Sequence, residues 1–183
     1  ASDKELEHIT NMVRQSVEEG AVGFSTSRFL QHLVPDGRCT PGTWADLRET
    51  KAIQEAVIAG GGIGAVFQSA NDMQTRYKTE LQMFRDGTEL GCQVLFSGGT
   101  GAEGDGGVAR WTEFFEEQNE GGKRLASICH TRPSGSFFGL AQLSPFTRKS
   151  KAWKDLMALP TIEDRVNALR NETTRAKLIS EGI

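Results

Sequence analysis

Paired cysteines are missing from this sequence. The three that occur, Cys39, Cys92 and Cys129, are odd in number and far apart, which excludes a disulfide framework and a Cys-x-x-Cys metal pair. Cys92 and Cys129 fall in apolar, strand-like runs and read as buried, reduced thiols, so the expected compartment is the cytoplasm. A basic excess is missing too. Lys and Arg number 21 against 24 Asp and Glu, for a net charge of -3, whereas a phosphate-binding face carries surplus positive charge. Nucleic acid is therefore not an expected partner. No apolar run approaches the roughly 18 residues that a membrane span needs, so no membrane partner is expected. The opening ASDKELEHIT is polar and lacks a signal-peptide pattern.

Several catalytic signatures are absent as well. There is no GxxxxGK[ST] loop and no GxSxG elbow, although Gly23-Phe24-Ser25 comes within a residue of the second. The glycines of IAGGGIGAV precede a strand-like run instead of joining a strand to a helix, which fails the context test for a dinucleotide site. SGGTGAEGDGG does follow a strand, but Glu103 and Asp105 oppose an anion, and a plain loop or lid is the simpler reading.

What is present is an ordinary globular composition over 183 residues, 37% apolar and 25% charged, with 21 glycines gathered at element junctions. Leu6, Ile9, Val13 and Val17 recur at helical spacing, with Ser2 or Asp3 as the N-cap. Ala21 to Arg28 then reads as a buried strand. Phe29 to Thr43 has no periodicity and holds Pro35-Asp36-Gly37 and Pro41-Gly42, a loop long enough to be functional. Thr43 is the expected cap of a helix from Trp44 to Ala59, followed by a strand from Ile63 to Gln68. A helix through Tyr77, Leu81 and Phe84, a strand from Cys92 to Gly98, a helix from Val108 to Glu120 and the strand LASICH complete the pattern.

Strand-like runs thus begin near residues 21, 62, 92 and 124, each preceded by a helical pattern. About four such units signal an α/β protein with a parallel sheet or barrel. Four units are half of an eight-unit barrel, so the choice lies between a small open sheet of flavodoxin-like type and part of a larger barrel. Residues 1–140 form this α/β part. Residues 141–183 read as short charged helices separated by Pro160 and Asn171, a helical insertion or cap.

In parallel α/β architecture the working groups sit at the carboxyl ends of strands. Those ends supply Ser25, Thr26, Ser27 and Arg28, then Gln68, Ser69 and Asn71, then Ser97, then His130, Thr131 and Arg132, with Ser134 just beyond. No carboxylate pair lies among them, so glycosidase chemistry has no support. Of the three histidines, His8 reads as solvated, His32 lies in the long loop and His130 stands at a strand end. No group of three metal ligands at fixed spacing appears.

EEGAVGFSTSR with its PDGR-x-x-PGTWA loop, and HTRPSGSFFGL with the sequel through SPFTRKSKAWKDLMALP, resemble the branch of the amidohydrolase superfamily that contains the N-acyl-D-amino-acid deacylases. The resemblance runs in order along nearly the whole chain. It implies a partial TIM-type (β/α) barrel followed by a helical insertion, and hydrolysis of the amide bond of N-acyl D-amino acids or related linear amides. The expected partners are that small-molecule substrate and the remainder of the barrel or another subunit. The resemblance also implies zinc or another divalent metal, with no ligand set evident in this chain. Where the family's strands end in ligand histidines, this sequence has Gln68 and Ser97. Within that frame His130 is the candidate proton shuttle or a metal ligand. Arg28 or Arg132 would fork a substrate carboxylate, and Ser25, Ser27, Gln68 and Ser134 would hydrogen-bond the substrate. The alternative is a non-catalytic, small-molecule-binding α/β domain that has lost the metal site.

Overall fold

The computed structural model describes every residue except 31, 74, 98–106, 129–138, 142–144, 149 and 183. Packing divides the chain into two compact units, Ala1–Thr131 and Arg132–Ile183. The first alternates helix and strand: α1 (Asp3–Glu18), β1 (Gly23–Ser27), α2 (Leu47–Gly61), β2 (Val66–Ala70), α3 (Tyr77–Glu89), β3 (Gln93–Ser97), α4 (Gly107–Asn119) and β4 (Arg124–Ile128). The four strands form one parallel sheet in the order β1-β2-β3-β4, which makes the unit α/β as the spacing predicts.

Consecutive strand order with right-handed crossovers keeps the connecting helices on one face of a sheet. The core shows this directly. Phe67, Val94, Phe96 and Leu125 point toward the helices and pack with Val13 of α1, Ile53 and Val57 of α2, Phe84 of α3 and Phe114 of α4. Phe84 and Phe96 stack with ring centroids 4.8 Å apart, and Phe96 meets Phe115 at 5.6 Å. The intervening strand positions face the other way, so burial alternates along β2 and β3. The run of apolar letters suggests strands covered on both faces; the structure has one face packed by helices and a second that carries Ser25, Gln68, Leu95 and Ala126 in register.

Local chemistry sets the element ends. Ser2 caps α1 in a capping box with Glu5, and Leu6, Val13 and Val17 are the buried stripe. The expected Thr43 cap of α2 is displaced to Asp46, whose side chain accepts from the Glu49 N–H at 2.8 Å. Thr43 instead belongs to the loop, where its hydroxyl donates to the Thr40 carbonyl at 2.8 Å. β2 also begins later than the apolar letters suggest. Gly62 and Gly64 hold positive φ and the Gly64 N–H donates to the Gly91 carbonyl, so a turn occupies the start of IGAVFQ and leaves Ile63 90% exposed. Gln68 consequently lies inside its strand, level with Ser25, and the strand runs on to Ala70.

A buried ionic clamp ties the long loop to the sheet. Arg28 follows β1 directly and is 1% exposed; its Nε donates to both oxygens of the fully buried Glu80 on α3, at 2.9 and 3.0 Å. One Arg28 terminal nitrogen donates to the Ala45 carbonyl, and its backbone N–H donates to the Ala70 carbonyl at 2.7 Å. Arg76 donates to the carbonyls of Thr43 and Arg28 and lies against the Trp44 ring. Burial pushes the Glu80 carboxyl above its usual range, against the pull of Arg28 and then Arg76.

The second unit, among its described residues, is helical: a 3-10 turn (Pro145–Arg148), α5 (Lys151–Met157), α6 (Ile162–Arg170) and α7 (Glu172–Gly182). Ala152, Leu156 and Leu178 form its small core. Glu181 of α7 accepts from the Ser150 hydroxyl and the Ala152 N–H, satisfying the start of α5.

Two outcomes follow from this packing. Glu80→Ala leaves the buried Arg28 guanidinium unpaired and lowers unfolding free energy in denaturant by about 3–5 kcal/mol, whereas Arg28→Met with Glu80→Leu loses less than that. Burial raises the Cys92 thiol to about 11 from 9.0, so its contribution to stability is complete below pH 9.0 and is lost as pH rises through about 11. Mass spectrometry after iodoacetamide treatment at pH 8 therefore finds Cys39 alkylated in the folded protein and Cys92 alkylated only after denaturation.

Candidate functional site

The open sheet face at the carboxyl ends of β1, β2 and β3 carries a row of polar side chains. The Ser25 hydroxyl donates to the Gln68 side-chain carbonyl, and the Gln68 amide donates to the Ser97 hydroxyl at 3.4 Å. Ser25 and Ser97 are exposed and Gln68 is half-buried, so the row meets solvent while its members fix one another's rotamers. Parallel pairing puts these groups together. Ser25 and Gln68 are register partners, and Ser97 is the last residue of the next strand.

At the end of β1 a second pair forms. Ser27 Oγ lies 2.6 Å from His32 Nδ1. His32 is held by the loop that the sequence leaves without periodicity. Its N–H donates to the Phe29 carbonyl at 3.0 Å, and its carbonyl accepts from Thr40 at 3.1 Å. Leu33 and Cys39 bridge in antiparallel fashion around a Pro35-Asp36-Gly37 turn. Arg38 closes that turn with a fork onto Asp36, and its guanidinium holds the Asp36 carboxyl below the usual carboxylate range. The Phe29 ring meets the His32 ring edge-on, centroids 5.3 Å apart. The long loop is therefore a small hairpin whose base presents a histidine to a strand-end serine.

Of the residues selected from sequence, the structure brings Ser25 and Gln68 together and sets Ser27 beside them on β1. Arg28 departs from the expected role, because its guanidinium is spent on Glu80 and the Ala45 carbonyl and lies buried, away from any substrate carboxylate. His130, Arg132 and Ser134 lie outside the described residues. His32 was underweighted by sequence alone. The available signal was the turn itself: a Pro-Asp-Gly centre folds its two arms together and returns the chain toward the strand end.

The donors at the described strand ends do not fit the implied metal. Zinc takes imidazole, thiolate or carboxylate, whereas the described strand ends offer hydroxyls and one amide already hydrogen-bonded to each other. Among the described residues no group of three or more His, Cys, Asp or Glu converges on a metal position. What the row can do is orient a polar ligand by hydrogen bonds; what the Ser27–His32 pair can do is move a proton.

Beside β1, the space under α1 and α2 forms a cavity of about 310 Å³. Ile9, Phe24, Ile53 and Phe67 make its apolar walls, and Ser25 and Ser27 also line it. No protein-family model, curated protein or solved structure matches the chain. No described helix is long and apolar enough to cross a membrane.

Because the row is solvated, it contributes little to folding. Gln68→Ala removes two exposed hydrogen bonds and shifts the denaturation free energy by about 1 kcal/mol or less, measured by urea unfolding.

Proposed function

We propose that the chain is the central part of a (β/α)-barrel hydrolase that cleaves the amide bond of N-acyl D-amino acids or related linear amides. The observation that carries the reading is the Ser25–Gln68–Ser97 row on the helix-free face of neighbouring parallel strands. Consecutive strand order with every described helix of that unit on one face is what a barrel wall requires, and barrel enzymes hold substrate at the carboxyl ends of strands. The remaining strands come from the rest of the barrel or from another subunit. The resemblance of EEGAVGFSTSR and HTRPSGSFFGL to N-acyl-D-amino-acid deacylases supplies the reaction class.

In this reading the row is a substrate wall. Hydroxyls and an amide pair with the N–H and C=O of an acyl-amino acid without charge, which suits a neutral linear amide. The same resemblance would make His130 the proton shuttle or a metal ligand, Arg132 a carboxylate fork and Ser134 a further hydrogen-bond donor.

One observation favours a second reading. Gln68 and Ser97 are bonded to each other at the positions where the resembled family carries ligand histidines, which suits a small-molecule-binding α/β domain without the hydrolytic metal.

The full-length protein incubated with N-acetyl D-amino acids is expected to release free D-amino acid. Gln68→Ala is expected to raise KM about tenfold with a smaller change in kcat, the loss of a hydrogen bond worth about 1.4 kcal/mol. Calorimetric binding of the same compounds with no amine released would select the binding domain instead.

A further inference from the structure

We propose that the Ser27–His32 pair at the end of β1 is a proton-gated carboxylate subsite, which receives the carboxylate of an N-acyl amino acid when the His32 imidazole is protonated. The ligand class rests on the amide-hydrolase reading above; the subsite itself rests on geometry.

An N-acyl amino acid brings a carboxylate as well as an amide, and a carboxylate is held best by charged donors. Arg28, next to Ser27 in sequence, is not free to serve. It is 1% exposed, and its guanidinium is held by Glu80 and the Ala45 carbonyl. The other charged groups around the pair are committed as well. Asp36 and Arg38 fork each other in the hairpin turn, Arg76 is bound to the carbonyls of Thr43 and Arg28, and Asp72 accepts from the Thr75 N–H. Glu49 of α2 accepts from the Ala1 ammonium, and Cys39 stands on the facing arm of the hairpin, opposite Leu33. His32 differs. It is exposed, and its Nε2 has no hydrogen-bond partner among the described residues, while Nδ1 lies 2.6 Å from Ser27 Oγ.

Proton counting shows why charge on the ring opens the pair to an anion. In one neutral tautomer Nδ1 accepts, so the Ser27 hydroxyl proton is given to the ring. In the other, Nδ1–H donates to Ser27 Oγ and Nε2 presents a lone pair, which repels a carboxylate. Only the imidazolium donates to Ser27 through Nδ1–H and still offers Nε2–H outward. The Ser27 hydroxyl proton is then free for the ligand, so two donors and a positive charge become available together. His32 is held ready for this: its N–H and C=O are each hydrogen-bonded within the hairpin base, and the Phe29 ring flanks its imidazole.

The pair also lies where such a ligand would need it. Ser27 shares the open strand face with Ser25, so it borders the Ser25–Gln68–Ser97 row. Its register partner is Ala70, whose own partner on β3 is Ser97, so a methyl group lies between two serines at the rim. Ser25 and Ser27 are two residues apart, about 6.6 Å along the strand. An acyl group and one extended residue cover that length. A carboxylate at Ser27 and His32 therefore sets the ligand amide against the Ser25–Gln68 pair.

The test is calorimetric binding to the full-length protein of N-methanesulfonyl-D-alanine, whose sulfonamide resists hydrolysis, and of its neutral carboxamide. The carboxylate probe should bind about tenfold more tightly at pH 5.5 than at pH 8.5, the range over which imidazole gains its charge, and the carboxamide less than about twofold more tightly. His32→Gln should remove the pH dependence and Ser27→Ala should weaken binding at pH 5.5, with circular dichroism showing each variant folded. His8→Gln, on the exposed side of α1, should change neither affinity. Equal pH dependence for both probes, the same dependence in His32→Gln, or no binding of the carboxylate probe overturns the proposal; a mere loop anchor gives the first or second result. Hydrolysis of N-acetyl D-amino acids alongside any of these results leaves the amide-hydrolase reading intact. His32-dependent binding without hydrolysis supports the subsite and removes only that reading.

Discussion

The Arg28–Glu80 ion pair is the constraint on which the rest of the first unit depends. Two opposite charges removed from water cost several kcal/mol each unless their hydrogen bonds are met. Here the guanidinium meets both carboxylate oxygens and the Ala45 carbonyl. Every one of those bonds crosses a boundary between elements: the end of β1, the long loop and α3. Arg76 adds bonds to the Thr43 and Arg28 carbonyls. The loop therefore cannot leave without stripping carbonyl acceptors from the Arg28 and Arg76 guanidinium groups. The hairpin that carries His32 to Ser27 hangs from this anchored stretch, so a structural ion pair sets the position of the chemically interesting groups.

Above that clamp the sheet divides its labour by parity. Residues that face the helices are aromatic or aliphatic and supply the core. Residues one step along each strand face away and include serines and a glutamine. Gly87 shows how tightly the first side is packed: a Cβ there would meet Val94 Cγ2 at 2.8 Å and Gln54 Nε2 at 2.9 Å. Stability comes from one face, which leaves the other free to hold groups chosen for hydrogen bonding.

Much of this fold was legible from the letters. The stripe of Leu6, Val13 and Val17 with a Ser2 cap is local chemistry, and it reads directly as α1. The alternation of helix and strand, and the parallel sheet it implies, depend on patterns within about thirty residues. What was not legible depends on partners far away. Arg28 reads as an available cation until Glu80, 52 residues later, is seen to occupy it. Thr43 and Asp46 are both good caps; Arg76, 33 residues on, takes the Thr43 carbonyl and holds Thr43 in the loop, which leaves Asp46 to cap α2. The start of β2 shifted because Gly64 bonds to Gly91 across the sheet, a contact that no window of local sequence contains. Ser25 and Gln68 were both selected, yet their mutual bond depends on strand register, which composition does not specify.

The consecutive strand order has a consequence for how the protein is made. A sheet laid down as β1-β2-β3-β4 places each new strand against the one synthesised just before it. No strand has to wait for a later segment to be inserted between its neighbours, and no helix has to cross to the opposite face. A chain emerging from the ribosome amino end first can therefore extend its sheet unit by unit, with the growing edge always formed by the most recent strand. The clamp fits that sequence of events, since Arg28 acquires Glu80 only when α3 appears, after β2 is in place.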